Sequence, residues 1–107
     1  MCTDETRQEI LFLLAFRKAN KPLEMNSITA AMQSSIAEMS WSKHLVHSPK
    51  TSPKILKRAV KFGHINKVSP FEWDKTPKGM DRLSYLVDHY LPNDQKNDVK
   101  RLELQAA

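Results

Sequence analysis

Apolar residues in the first part of the chain recur with helical spacing and predict a first helix over residues 6–20. Thr6 and Glu9 have the spacing of a capping box, and Pro22 disfavours helical geometry at the residue before it. The apolar residues cover nearly the whole circumference of this helix: Ile10, Leu11, Phe12, Leu13, Leu14 and Phe16. A helix this apolar is either central to the core or shared with a partner subunit.

A second helix is predicted from residue 26, with Asn26 or Ser27 as its N-cap. Ile28, Ala31 and Met32 have the spacing of an inward face. Residues 33–47 continue with partly helical spacing, and we interpret them as an insertion before the next helix. The alternative is that the next helix starts near Ser48 with Pro53 inside it, where a proline would cost about 3 kcal/mol.

The third predicted helix, residues 51–63, has well-defined ends. Thr51 or Ser52 can act as N-cap, Pro53 suits the first helical position, and Gly63 lies where positive φ is needed. Its predicted apolar side consists of Ile55, Leu56, Ala59, Val60 and Phe62. Its cations lie on one stripe at i, i+3, i+4 and i+7: Lys54, Lys57, Arg58 and Lys61. Four cations on one stripe repel one another unless an anion lies alongside.

Residues 64–75 are predicted to form a hairpin, with alternation in its first strand and a turn at Ser69 and Pro70. Phe71 and Trp73 alternate with Glu72 and Asp74 in the returning strand. We expect the two aromatic residues to form a hydrophobic floor and the two carboxylates to share the solvent side.

Thr76 and Pro77 have the order of an N-cap and a first helical residue, and they predict a fourth helix over residues 76–91. Its apolar stripe consists of Met80, Leu83, Leu86, Val87, Tyr90 and Leu91. Residues 93–107 have few apolar side chains, so we expect a marginal helix that a partner orders.

A basic helix, a glycine, a hairpin and then Asp74-Lys75-Thr76-Pro77-Lys78-Gly79 follow one another here, and Gly63-His64-Ile65 opens the hairpin. This order resembles winged helix-turn-helix transcriptional regulators of the MarR-like and PadR-like superfamily. The resemblance implies one winged-helix domain over residues 1–107, mainly α with a small β-hairpin wing. It also implies a homodimer through the N- and C-terminal helices.

Positive charge is concentrated in the middle of the chain. Residues 43–78 contain nine Lys or Arg and two acids, whereas the remainder contains eight basic and ten acidic residues. The chain as a whole has a net charge of +5. Such a local excess is expected of a surface that faces phosphates, although an acidic protein or an anionic membrane would also suit it.

The sequence offers little for catalysis. A single cysteine, Cys2, excludes an internal disulfide, and His44 and His47 lack neighbouring carboxylates for a metal site. We find no phosphate-binding glycine loop, HExxH motif or local triad pattern, so we expect neither an enzyme nor a cofactor. No apolar run reaches the roughly 20 residues of a membrane span, which favours a cytoplasmic, nucleoid-associated location.

The leading hypothesis is sequence-specific binding of double-stranded DNA by a transcriptional regulator. Ser52, Lys54 and Lys57 are expected to point into the major groove, and Arg58 is the candidate for bidentate guanine contact. Lys50 and Lys61 are expected to hold phosphates, and Thr51, at the start of the helix, is a further candidate for DNA contact. The wing would use Lys67, Lys75 and Lys78. The alternative is a winged-helix interaction module, such as a phage or plasmid accessory factor, that binds an acidic protein.

Overall fold

The computed structural model describes residues 3–38 and 51–104, which form five α-helices and an antiparallel hairpin. The helices are α1 (Asp4–Lys18), α2 (Met25–Glu38), α3 (Thr51–Lys61), α4 (Pro77–Tyr90) and α5 (Asn93–Leu104). The hairpin between α3 and α4 consists of β1 (Ile65–Ser69) and β2 (Glu72–Lys75). The predicted class, mainly helical with one small hairpin, is confirmed.

Helix α1 is the centre of the core. Residues 10–16 are each at most 6% exposed, and α1 contacts every other helix as well as β2. Their apolar side chains are therefore covered within a single chain, and α1 is a core helix. Its N-cap is Thr3, whose hydroxyl accepts a 3.2 Å bond from the Thr6 amide, so the predicted capping box at Thr6 is wrong.

Helix α2 begins earlier and ends later than predicted. It starts at Met25, so Asn26 and Ser27 lie inside the helix and neither is the cap. Ile28 and Met32 are fully buried, as expected of the inward face. The helix continues to Glu38 and takes up the first part of the predicted insertion; the rest of that insertion lies outside the described residues.

The connection between α1 and α2 is bonded to the hairpin through a single β-bridge. Leu23 donates a 2.7 Å backbone bond to the Trp73 carbonyl, and the Trp73 amide donates a 2.9 Å bond back. Leu23 therefore pairs with β2 on the edge opposite β1. This bridge ties the start of α2 to the hairpin, and α1, α2 and α3 contribute side chains to one common core.

The last two helices complete the core. Thr76 caps α4 by accepting a 3.0 Å bond from the Gly79 amide, and Pro77 follows at the first helical position, as predicted. Within α4, Leu83, Leu86 and Val87 are buried, whereas Tyr90 is 39% exposed. In α5 Val99 and Leu102 are fully buried, so the expectation of a marginal tail ordered by a partner is wrong.

Candidate nucleic-acid interface

The four cations of α3 all lie on its exposed side. The buried residues of this helix are Ser52, Leu56 and Ala59, which recur at three- and four-residue spacing and face the core. The exposed cations lie on the opposite side, and we call them the basic stripe: Lys54, Lys57, Arg58 and Lys61. None of them forms an ion pair with a carboxylate among residues 3–38 and 51–104.

A compact C-terminal cap fixes the end of α3. The Gly63 amide donates to Val60 and the His64 amide donates to Ala59, at 3.1 and 2.9 Å, which is the bonding pattern of a Schellman motif. Gly63 has a φ of +76°, as its predicted role requires. The chain therefore turns sharply from the basic stripe into β1.

Ser52 cannot contribute to a contact surface. Its side chain is fully buried, accepts a 3.2 Å hydrogen bond from the Thr29 hydroxyl, and donates to the Met32 sulfur at 3.6 Å. The prediction that Ser52 points into a DNA groove is wrong. The sequence misleads here because a serine near a helix start suits both an N-cap and a buried contact between helices, and here it joins α3 to α2. Ser52 and Thr51 are both helical, so neither is the predicted N-cap, and Pro53 lies within the first described turn.

A cleft of about 890 Å³ runs between α1, α3 and the start of α4. One wall carries Lys54, Arg58 and Lys61 of the basic stripe, and the α1 wall carries Glu5 and Glu9. Its apolar lining residues are Phe12, Leu13, Ile55, Ala59 and Phe62. Of these, Ile55 is half-buried and Phe62 is exposed, so three cations of the basic stripe lie near partly exposed apolar surface.

The acidic side of the cleft is partly neutralised. Arg82 donates to both carboxylate oxygens of Glu9, at 3.0 and 3.4 Å. This bidentate pair joins α1 to α4 and raises the pKa of Arg82, mainly through the hydrogen bond to Glu9. Neither residue was among the predicted site residues, because their contact depends on helix packing that no local motif signals.

His64 lies at the end of the same cleft. Burial lowers the pKa of His64 from its usual 6.5; Glu9 opposes this shift, while Arg82 and Lys78 add to it. The Lys78 side chain passes over Gly63, where an added Cβ would lie 4.0 Å from Nζ. Lys78 is thus placed at the C-terminal end of the basic stripe as well as at the base of the hairpin.

The hairpin lysines have different surroundings. Lys67 is exposed, lies opposite Trp73 in the register, and places its ammonium 6.0 Å from the centre of the indole ring. Lys75 donates to the carbonyls of Phe16 and Ala19, at 3.1 and 2.7 Å. Lys75 therefore caps the C-terminus of α1, so we remove it from the predicted DNA-contacting set.

The predicted apolar pattern of this region is only partly correct. Val60 and Phe62 were assigned to the apolar side of α3 but are 39% and 50% exposed. In β1 only Ile65 is buried, and Val68 is 52% exposed. Trp73 packs against the core as expected, whereas Phe71 is 75% exposed at the hairpin tip and forms no floor.

Of the remaining residues singled out from the sequence, the structure describes only some. Thr51 is half-buried and lines the cleft. Lys50, His44 and His47 lie outside the described residues. Within residues 3–38 and 51–104, no three His, Cys, Asp or Glu side chains come close enough together to hold a metal ion. In the same residues no helix combines the length and apolar character of a membrane span.

No family model matches the chain, and no curated protein or solved structure is significantly similar to it.

Proposed function

We propose that this protein is a sequence-specific DNA-binding transcriptional regulator with winged helix-turn-helix architecture. The observation that carries this proposal is the basic stripe on α3, which is exposed, opposite the buried side of its helix, and unpaired with carboxylates among the described residues. An α-helix fits the major groove of B-DNA, and uncompensated cations along it suit the phosphates on either side.

The order of elements supports the architecture. One helix, a single bridging residue, two helices, two strands and two further helices follow in turn, and Leu23 forms a β-bridge to β2 on the edge opposite β1. In this proposal α2 and α3 form the helix-turn-helix, and the β1–β2 hairpin is the wing. The buried contact of Ser52 with Thr29 and Met32 sets α3 against α2.

The chemistry of each side chain suggests its role. Lys54 and Lys57 would enter the groove, and Arg58 would bond guanine through its guanidinium fork. Phosphates on either side would be held by Lys61 and Lys78, by Lys67 on the wing, and by Lys50 and Thr51 before the groove contacts.

A homodimer would give this regulator a two-fold symmetric operator. Since residues 10–16 of α1 are already covered, a dimer contact would use other apolar side chains. The exposed candidates on α4 are Tyr85, at 46%, and Tyr90, at 39%. Their rings lie 6.1 Å apart, and Tyr85 stacks on His89 at 4.5 Å. A regulator of this kind acts on cytoplasmic, nucleoid-associated DNA.

Selection from a randomised duplex pool tests the proposal. We expect the wild type to enrich a defined site, and a two-fold symmetric one if it binds as a dimer. Arg58→Ala should relax the preference at one base pair of that site, since a good bidentate contact discriminates by about 1–3 kcal/mol. Lys61→Ala should weaken binding to all duplexes alike. Lys100→Ala on α5 is the charge-matched control and should change neither property. Failure of the pool to enrich any sequence would contradict the proposal.

A second candidate function is a winged-helix module that binds an acidic protein, such as a phage or plasmid accessory factor. The exposure of Val60 within the basic stripe favours it, because Val60 and the four cations line a shallow depression with a mainly apolar surface. Protein interfaces have apolar centres and polar rims. Nonspecific duplex can displace an acidic partner protein only if both bind the basic stripe. Strong displacement of the partner by duplex would favour DNA binding as the function.

A further inference from the structure

We propose that the tip of the hairpin inserts Phe71 into the minor groove of DNA as an apolar wedge that opens a base step and bends the duplex. This inference rests on the proposed DNA-binding function and adds a mode of binding to it. Phe71 is 75% exposed, and among the large apolar side chains of the described residues only Leu104 is more exposed.

The tip carries further apolar surface. Val68 is 52% exposed and Pro70 is exposed beside Phe71. The strand register shifts between Lys67 and Ser69, so Val68 has no partner across the hairpin. Such a bulge increases the local twist and redirects side chains. The three apolar residues thus lie within four consecutive positions at the end of the hairpin.

The tip is held in a defined shape before binding. The Ser69 hydroxyl donates a 3.0 Å hydrogen bond to a carboxylate oxygen of Glu72, which closes the turn from both sides. Pro70 adds a fixed φ angle between them. A wedge that is already ordered loses little conformational entropy when it inserts.

The surrounding charge favours DNA over an apolar protein groove. Lys67 is exposed next to the tip, and the neighbouring α3 carries the basic stripe, which has no ion pair within residues 3–38 and 51–104. The two acids of the hairpin accept local hydrogen bonds, Glu72 from Ser69 and Asp74 from the Lys75 amide at 2.8 Å. They are outnumbered by Lys67 and the four cations of the basic stripe. Apolar wedges of Phe, Leu, Ile, Met or Pro that unstack one base step are used by minor-groove proteins to bend DNA toward the major groove.

Duplexes that differ only in the minor groove provide the test. Inosine–cytosine pairs lack the guanine N2 amino group of the minor groove and keep the major-groove edge of guanine–cytosine pairs. Affinity for a 24-base-pair alternating I·C duplex is compared with that for the matching G·C duplex, and bending is followed by fluorescence transfer between the duplex ends. The proteins are the wild type, Phe71→Ala, Arg58→Ala and, as a matched truncation of an exposed apolar side chain, Leu104→Ala.

We expect the wild type to prefer and bend the I·C duplex. Phe71→Ala should bind the I·C duplex about tenfold more weakly, by analogy with the loss of an aromatic–base stack. This variant should also lose the preference for I·C over G·C and no longer bend the duplex. Arg58→Ala should bind both duplexes more weakly and keep the preference, and Leu104→Ala should match the wild type. The wedge alone would be overturned if binding is sensitive to salt and depends on Arg58, but shows no preference for I·C, no bend and no effect of Phe71→Ala. Absence of duplex binding would overturn both the wedge and the proposed function.

Discussion

Leu23 and Trp73 exchange two backbone hydrogen bonds, of 2.7 and 2.9 Å, and thereby join the α1–α2 connection to the outer edge of the hairpin. Trp73 also packs against the core, so this edge is the anchored side of the hairpin. The opposite strand has only Ile65 buried, and its residues extend to the exposed tip. A hairpin held along one edge can project its tip from the body of the protein.

Leu23→Pro should reduce the free energy of unfolding by about 1–3 kcal/mol, because proline removes the amide that bonds Trp73 and leaves a carbonyl unpaired. Leu23→Ala is the matched control, since it keeps the amide and loses only the packing of a half-buried side chain. Chemical denaturation of both variants provides the comparison. Equal stability of the two variants would mean that the hydrogen bond donated by the Leu23 amide contributes nothing.

The two glycines should respond very differently to alanine. At Gly79 an added Cβ would lie 2.0 Å from the His64 carbonyl oxygen, a backbone atom, whereas at Gly63 the nearest atom is a flexible lysine carbon 3.8 Å away. We expect Gly79→Ala to cost about 3 kcal/mol or more through overpacking. Gly63→Ala should cost about 1–2 kcal/mol through its left-handed backbone alone. Thermal unfolding of both variants measures this, and a milder effect at Gly79 would contradict the close approach of α4 to His64.

Local chemistry explains which parts of the fold could be predicted from the sequence. Gly63, Thr76 and Pro77 act through their own backbone angles and nearest amides, and their predicted roles are confirmed. The N-cap of α1 was misplaced by three residues, at Thr6 instead of Thr3, because both threonines precede the same apolar run.

Contacts between distant segments were beyond prediction. The pairing of Leu23 with Trp73 has no local signal, since one residue makes no strand pattern. The burial of Ser52 depends on α2, and the burial of Val99 and Leu102 depends on the helices beneath α5. For the candidate site, the basic stripe was predictable from helical spacing, whereas the capping role of Lys75 depends on the position of α1.

Lys75→Met and Lys67→Met form a matched pair that separates structure from binding. Lys75→Met removes two hydrogen bonds to carbonyls at the end of α1 and should lower stability by about 1–2 kcal/mol. It should leave the salt dependence of DNA binding unchanged. Lys67→Met should have the converse effects. It should keep the wild-type stability and make the log–log salt dependence of DNA binding less steep by about 0.9. Denaturation and a salt titration on the same samples test the pair, and a reduced slope for Lys75→Met would return that residue to the interface.

Stability should fall in acid partly through His64. Because burial lowers its pKa below 6.5, the unfolded chain takes up a proton at higher pH than the folded protein does. This contribution to stability is fully present above pH 6.5. It is lost as the pH falls from there through the pKa that His64 has in the folded protein. We expect the wild type to lose more stability than His64→Gln between about pH 7.5 and pH 5.5 in parallel denaturation curves. A larger loss of stability in His64→Gln than in the wild type would contradict a lowered pKa of His64.

The most direct test of the central claim, that α3 faces DNA, is duplex affinity across a salt series. Five or six phosphate contacts give a log–log slope of roughly −4.5 to −5.4, at about −0.9 per contact. The double variant Lys61→Ala/Lys78→Ala removes two of the proposed phosphate contacts and should reduce the steepness by about 1.8. Lys100→Ala/Arg101→Ala removes two exposed cations from α5 and should keep the wild-type slope. A shallow wild-type slope, or equal slopes for the wild type and Lys61→Ala/Lys78→Ala, would contradict the account.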